Sequence, residues 1–156
     1  MMMIKIISGG QTGVDLAGLD AAKKNGLKTG GWMPRRWQNL EGQQPHFATL
    51  YDMNEHRSVG YAPRTKQNIV DSDGTLIIAA NQSSPGTRLT ITAAKLFRKE
   101  ILVCDIDYPT DMIYNWIIDN KFEIVNIAGN SEQNSPGIYD QAFKILDEVF
   151  YKIKNT

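Results

Sequence analysis

A glycine-rich segment near the beginning of the chain has the composition of an anion-binding turn. Its residues, Ser8-Gly9-Gly10-Gln11-Thr12-Gly13, follow an apolar run at 3–7 and precede a helical pattern at 14–25. Glycine allows positive φ angles and a close approach of the backbone to a ligand. The first turn of a helix also presents unpaired N–H groups and the positive end of the helix dipole. Residues 8–13 therefore predict a phosphate-binding turn between a strand and a helix.

The spacing of these glycines matches neither of two common nucleotide motifs. It is not G-x-G-x-x-G, and it lacks the Gly-Lys-Ser/Thr ending of the Walker motif, so it supports neither dinucleotide binding nor NTPase chemistry. Asp15 falls in the first turn of the predicted helix, where a carboxylate suits the helix dipole but would oppose a bound phosphate. The alternative is a turn that only joins the strand to the helix.

Two later segments share this small, polar composition. They lie at 81–87 and 129–137, and each follows an apolar run and precedes a helical pattern. Ligands in parallel α/β sheets bind at the carboxyl ends of the strands, so the three segments are predicted to meet at one crevice. Ser84 and Ser135 are explained equally well as helix N-caps. Gly86 and Thr87 are expected to contact the ligand.

The apolar runs predict an α/β three-layer sandwich on a mostly parallel sheet of about five strands. Unbroken runs are typical of strands that are covered on both faces, and helical patterns separate them. The predicted strands are 3–7, 75–79, 101–104 and 123–128, with a shorter fifth one at 27–32. The predicted helices are 14–25, 87–98, 109–120 and a last one that starts at Ser135-Pro136, with the proline in the first position.

The length and the charge balance narrow the range of functions. A chain of 156 residues has the size of one ordinary domain, here 1–156. Seventeen basic and seventeen acidic residues cancel, which leaves no field that would attract nucleic acid or an anionic membrane. The single cysteine, Cys104, excludes an intrachain disulfide and a thiolate cluster. Since there is no leader-like segment and no apolar run near the roughly 20 residues of a membrane helix, we expect a cytoplasmic protein.

The segment 33–62 has no helical or strand period and is predicted to be a functional loop or lid. Together with the preceding tryptophan it combines aromatic and cationic side chains, which suits stacking on a flat heterocycle and pairing with anionic groups. Its histidines are ten residues apart without a cysteine or an HExxH context, so no metal site is predicted. These residues are Trp32, Arg35, Arg36, Trp37, His46, Phe47, Tyr51, His56, Arg57 and Tyr61.

A short helix is predicted after this segment, with Pro63 near its start. Arg64, Asn68 and Asp71 fall on one face of the helix because their spacings are four and three residues. This face is either solvated or a polar wall beside the first glycine segment. The spacing alone does not orient the helix, so both interpretations stay open.

Taken together, these segments resemble the putative molybdenum carrier family, relatives of the molybdenum cofactor carrier protein within a wider group of Rossmann-like nucleotide-binding proteins. The likeness spans nearly the whole chain. The matching segments are 8–15, 30–34, Tyr61 with Arg64-Thr65 and Asn68, 71–76, Gly86-Thr87, 126–129 and 136–139. The resemblance implies a Rossmann-like α/β/α sandwich that binds the molybdenum cofactor, a flat pterin with a terminal phosphate and a dithiolene-held metal, without chemistry on it.

This resemblance implies a carrier without catalytic residues rather than an enzyme. No protein metal ligand is needed, because the molybdenum would arrive already held by the dithiolene. The expected partners are a small phosphorylated ligand, molybdoenzymes that receive the cofactor, and further copies of the chain in a homo-oligomer. The expected ligand-binding residues are Gly9, Gly10, Gln11, Thr12, Gly13, Asp15, Trp32, Arg64, Asn68, Ser84, Gly86, Thr87 and Asp105.

The competing interpretation is an enzyme, because the wider group includes lysine-decarboxylase-like phosphoribohydrolases, which cleave nucleoside monophosphates. Their signature is Pro-Gly-Gly-x-Gly-Thr followed by a catalytic Glu, whereas this chain has one glycine fewer and Thr90 where the acid would fall. Asp105 and Asp107 could replace that acid, or they could solvate a strand end and help to start the next helix. A nucleotide-sensing module is the third alternative and needs no catalytic group.

Overall fold

Five parallel strands form the central sheet. A computed structural model describes residues 3–156 of the chain. The strands of this sheet are β1 (Lys5–Ser8), β2 (Lys28–Gly30), β3 (Gly74–Ile78), β4 (Glu100–Cys104) and β5 (Ile124–Gly129), in the spatial order β2-β1-β5-β3-β4. Every neighbouring pair runs parallel. The predicted parallel sheet is confirmed, and its unbroken apolar runs are strands buried between two helical layers.

The last strand of the chain occupies the centre of the sheet. β5 lies between β1 and β3, and its register pairs Val125 with Ile6 and Ile127 with Leu76. If β5 is counted as the first strand, the spatial order becomes 3-2-1-4-5, which is the order of a Rossmann sheet. The strand order then reverses between β5 and β3. This reversal is the point at which such sheets bind ligands.

Helices cover both faces of the sheet. On one face α1 (Val14–Lys24) and α4 (Thr110–Asp119) pack against α5 (Ile138–Lys154), and on the other α2 (Tyr61–Asp71) packs against α3 (Pro85–Leu96). The three-layer sandwich is therefore confirmed. The largest apolar cluster joins strand residues to α1, α4 and α5, and a smaller one lies under α2 and α3. Within residues 3–156, no helix combines the length and apolar character that a bilayer crossing requires.

The last helix begins later than the sequence predicts. It starts at Ile138, because Gly137 adopts a left-handed conformation with φ 90° that interrupts the helical path after Pro136. The Glu132 carboxylate accepts the amide hydrogens of Gly137 at 2.6 Å and Tyr139 at 2.9 Å. These two bonds lower the pKa of Glu132. The prediction of proline in the first helical position is thus wrong, and a carboxylate caps the helix instead.

The segment predicted as an irregular loop contains several short elements. Two short strands, Trp32–Met33 and Asn54–Glu55, pair in parallel, and Gln38–Asn39 pairs with Gly42–Gln43 as a hairpin. A 3-10 turn at Arg35–Trp37 and a helical turn at Phe47–Leu50 complete it. Its apolar residues form a cluster of their own against α1. The members of this cluster are Leu19, Met33, Phe47, Tyr51 and Met53.

Candidate functional site

A cleft of about 340 Å³ opens at the carboxyl ends of the central strands. Its volume lies within the usual range of small-molecule sites, roughly 300–1,000 Å³. The walls come from the first glycine loop (residues 8–13), from α2, from the start of α3, from β5 and its following loop, and from the hairpin tip. The lining residues are Gly9, Gln11, Asp15, Leu40, Tyr61, Arg64, Thr65, Asn68, Ser84, Pro85, Gly86, Leu89, Thr90, 126–131 and Asn134.

Asn130 joins the three strand-end loops. It is 2% exposed, and its Nδ2 donates to the carbonyl of Asn81 at 3.0 Å and to Ser84 Oγ at 3.3 Å. Its own carbonyl accepts the amide hydrogen of Val14, the first residue of α1, at 3.1 Å. The three segments that the sequence predicts to converge therefore meet at one edge of the sheet.

The amide groups of the first glycine loop are largely bonded inside the protein. Gly10 N–H donates to Ser8 Oγ at 3.3 Å, and Gln11 N–H donates to the Asp15 carboxylate at 3.3 Å. Thr12 N–H donates to the side-chain carbonyl of Gln11 at 2.9 Å. In this conformation the loop offers fewer free donors than its glycine content predicts.

At two glycines of this loop, any side chain would collide with neighbouring atoms. Gly13 has φ 82°, and a Cβ there would overlap the carbonyl oxygen of Asn130. A Cβ on Gly9 would lie 2.6 Å from Cζ of Arg64. The absence of a side chain at Gly9 thus makes room for the guanidinium of Arg64 directly above the loop.

Arg64 is a buried cation without a carboxylate partner. It is 7% exposed, its Nη1 donates to Thr65 Oγ1 at 2.5 Å, and its Cζ lies 5.3 Å from the centroid of the Tyr61 ring. The ion pairs between side chains of residues 3–156 involve other residues, and Arg64 Nε is buried without any hydrogen-bond partner. Burial lowers the pKa of Arg64, and Asp15 opposes this shift. An arginine stays protonated in such a site, so it carries an unsatisfied positive charge.

Asp15 is the carboxylate of the cleft. It is 6% exposed, and no other acidic side chain among residues 3–156 lines the cavity. Burial raises its pKa to about 6, while Arg64 and the amides of Gln11 and Gly9 act in the opposite direction. The group therefore changes its charge near pH 6, and such raised pKa values are common among functional carboxylates.

Asn68 lies on the wall of the cleft but binds a neighbouring backbone. Its Oδ1 accepts the amide hydrogen of Trp32 at 2.9 Å, and its Nδ2 donates to the carbonyl of Trp32 at 3.1 Å. The Trp32 indole donates to Asp71 at 2.8 Å and meets His56 edge to face, away from the cavity lining. Arg64 and Asn68 thus form the predicted polar wall, whereas Asp71 is exposed.

The remaining predicted residues divide between the cavity and its surroundings. Ser84 and Gly86 line the cleft, and Ser84 also caps α3 by accepting the amide hydrogen of Thr87 at 3.4 Å. No atom lies within 4 Å of the position that a Gly86 Cβ would occupy, so this first-turn backbone faces open space. Asp105 is exposed, lies outside the lining and accepts the amide hydrogen of Asp107 at 2.9 Å. Gly10, Thr12, Gly13, Trp32 and Thr87 also lie outside the lining.

Sequence reasoning missed several lining residues as ligand contacts. Asn126 is 3% exposed in the middle of β5 and donates to Thr75 Oγ1 at 3.2 Å. An amide in a buried apolar strand is unusual, so this residue carried a usable signal. No local signal in the sequence marks Leu40, because tertiary contacts place the hairpin tip. The Leu40 amide donates to the side-chain carbonyl of Gln11 at 2.9 Å, and Asn39 Nδ2 donates to the backbone carbonyl of Gly10 at 3.0 Å.

Comparisons with known proteins agree with the strand order. The family model named circularly permutated YpsA SLOG family matches residues 6–150. A crystal structure from Syntrophus aciditrophicus SB, described as a putative molybdenum carrier protein, is 36% identical and has a TM-score of 0.85, with 96% of each chain covered. None of the curated proteins matches the chain. Both the matched length and the permuted Rossmann order place this chain in the circularly permutated YpsA SLOG family.

Proposed function

We propose that this chain is a carrier that binds a small phosphorylated molecule in the cleft, and that its ligand is the molybdenum cofactor. The observation that carries the proposal is the buried guanidinium of Arg64, which lines the cavity with Nε unsatisfied. A buried cation without an anionic partner is costly unless a ligand supplies one. The similar chain from Syntrophus aciditrophicus SB, whose description names molybdenum, supports this particular ligand.

In this proposal the two ends of the ligand meet different groups. Arg64 donates to phosphate oxygens, since its planar fork matches an oxyanion, and the backbone at Gly86 adds a donor. The apolar side chains of Leu40 and Leu89 and the Tyr61 ring border the flat pterin. Molybdenum is cargo held by the dithiolene of the ligand, so the protein supplies shape, charge and hydrogen bonds. We further propose a cytoplasmic homo-oligomer that delivers the cofactor to molybdoenzymes.

Co-elution tests this function directly. The purified chain is mixed with molybdenum cofactor, separated by size, and analysed by the fluorescence of the oxidised pterin, with excess adenosine monophosphate as competitor. We expect pterin to co-elute with the wild type and with Arg98→Gln, an exposed arginine two residues past the end of α3, and not with Arg64→Gln. Absence of pterin from the wild-type peak, or its displacement by the nucleotide, would contradict the carrier function.

For the alternative function, an enzyme, the structure offers Asp15 as the candidate catalytic carboxylate in place of Asp105 and Asp107. Asp105 and Asp107 are both exposed, and neither lines the cleft, whereas Asp15 does, with its pKa raised to about 6. Thr90, which stands where phosphoribohydrolases have their acid, also lines the cleft, from α3. A hydrolase would release base from nucleoside monophosphates and lose this activity in Asp15→Asn. Binding of a nucleotide without release would instead indicate a sensing module.

A further inference from the structure

Asp15 and Arg64 are brought together by one residue, Gly9. The Gly9 amide lowers the pKa of the Asp15 carboxyl, and a Cβ built on Gly9 would lie 2.6 Å from Cζ of Arg64. Both side chains are more than nine-tenths buried and line the same cavity. They form no ion pair with each other, although their charges influence each other's pKa. The lining of this cavity therefore holds one cation and one anion, and both lie close to Gly9.

An oxyanion bound to Arg64 would lie beside the Asp15 carboxylate. Two ionised oxygens in a buried site repel each other, and the repulsion is relieved if one proton lies between them. No other acidic or basic side chain of residues 3–156 lines the cavity, and Tyr61, which packs on Arg64, is the further ionisable group there. The proton has to come from the ligand or from solvent.

We propose that Asp15 makes the cleft selective for a phosphate monoester over a sulfate monoester. The Asp15 carboxylate accepts the hydrogen of the P–OH group while Arg64 donates to the other oxygens. A phosphate monoester monoanion and a sulfate monoester have the same charge and nearly the same shape, but only the phosphate has this hydrogen. The inference rests on the proposed function, since it names the residue that defines the anionic end of the ligand.

The proton balance of binding follows from this arrangement. At pH 7.5 a phosphate monoester is mostly a dianion and Asp15 is mostly ionised, since its pKa is about 6. The complex holds one proton between the two, so binding takes up about one proton from solvent. A sulfate monoester brings no proton. Its oxygen atoms and the Asp15 carboxylate are both hydrogen-bond acceptors, so no hydrogen bond forms between them in the buried site. The affinity for the sulfate monoester rises as the pH falls through 6, where Asp15 becomes protonated.

Isothermal titration with phenyl phosphate and phenyl sulfate tests the proposal on the full chain. At pH 7.5 we expect phenyl phosphate to bind roughly tenfold or more tightly than phenyl sulfate, given the cost of an unpaired charged acceptor. Repeating the titration in buffers of different ionisation enthalpy should show uptake of about one proton for phenyl phosphate. Asp15→Asn, whose amide can donate to either ligand, should lose most of the selectivity and the proton uptake. Asp119→Asn, an exposed carboxylate on α4, should keep both.

The outcomes separate this inference from the proposed function. Equal affinity of the wild type for the two ligands, or binding of phenyl phosphate without proton uptake, would overturn the role of Asp15 and leave an anion-binding cleft intact. Selectivity that persists in Asp15→Asn would overturn it as well. Failure of both ligands to bind the wild type, or unchanged affinity in Arg64→Gln, would contradict the anion site itself and with it the selectivity.

Discussion

The first glycine loop and helix α2 both line the cleft, but the hydrogen-bond donors of the loop are paired inside the protein, whereas a donor on α2 is not. The loop has the composition of a phosphate cradle, yet the amides of Gly10, Gln11 and Thr12 donate to acceptors within residues 8–15. Helix α2 has no glycine-rich segment, yet it holds Arg64 buried with an unsatisfied Nε. Glycine content thus indicates where the backbone must approach another group closely. Capacity to bind an anion depends on which donors the fold leaves unpaired.

The largest expected effect tests whether the glycines of the loop are structural. Gly13→Ala should destabilise the fold by about 3 kcal/mol, because positive φ strains an alanine and its Cβ overlaps the Asn130 carbonyl. Gly60→Ala is the matched control, since Gly60 has φ 88° and no neighbouring atom within 4 Å of a Cβ. That variant should lose about 1 kcal/mol from backbone strain alone. Urea denaturation measures both, and equal losses would show that the contact with Asn130 is unimportant.

The next effect concerns the carboxylate that joins the two regions. Because burial raises the pKa of Asp15 from 3.8 to about 6, the folded state binds its proton more tightly than the unfolded state. Its contribution to stability is complete below pH 3.8 and is lost as the pH rises through 6. Asp15→Asn has no such loss, so its stability relative to the wild type should rise by about 2 kcal/mol between pH 4 and pH 7.

The pH dependence is measured by urea denaturation of both proteins across this range. The difference between them isolates Asp15, since the other ionisable groups are shared. A difference that is constant with pH would show that Asp15 has the same pKa in the folded and unfolded states, and would contradict the raised pKa of the buried carboxyl.

The smallest effect tests the link between the loop and α2. Gly9→Ala places a methyl group 2.6 Å from Cζ of Arg64 and should displace the guanidinium from its position over the loop. We expect about tenfold weaker binding of phenyl phosphate, since a misplaced charged donor costs on the order of 1.5 kcal/mol. Gly26→Ala lies outside the cavity lining, just past the end of α1, and its Cβ would meet no atom closer than 3.5 Å, so this variant leaves Arg64 in place and controls for a general loss of backbone freedom. Unchanged affinity in Gly9→Ala would show that Arg64 does not contact the anion from this position.

Most of the fold was predictable because its signals are local. Unbroken apolar runs such as Leu76-Ile77-Ile78 in β3 indicate burial on two faces, and the helical patterns between such runs indicate one buried face. The start of α5 was not predicted, because Pro136 is a local signal but the left-handed Gly137 and the capping Glu132 depend on a loop folding back on itself. The segment 33–62 was not predicted either, since its short strands pair with each other across about twenty residues and have no period of their own.

The sequence by itself determined the α/β class, the parallel sheet and the three polar loops at its carboxyl edge, because hydrophobic period and glycine position act over a few residues. The tertiary structure decided which of the candidate residues share a cavity. It placed β5 at the centre of the sheet, brought Arg64 onto Gly9 beside Asp15, and left Asp105 outside. These are contacts between residues about fifty or more positions apart, or consequences of strand order, and no local pattern encodes which donor is left without a partner.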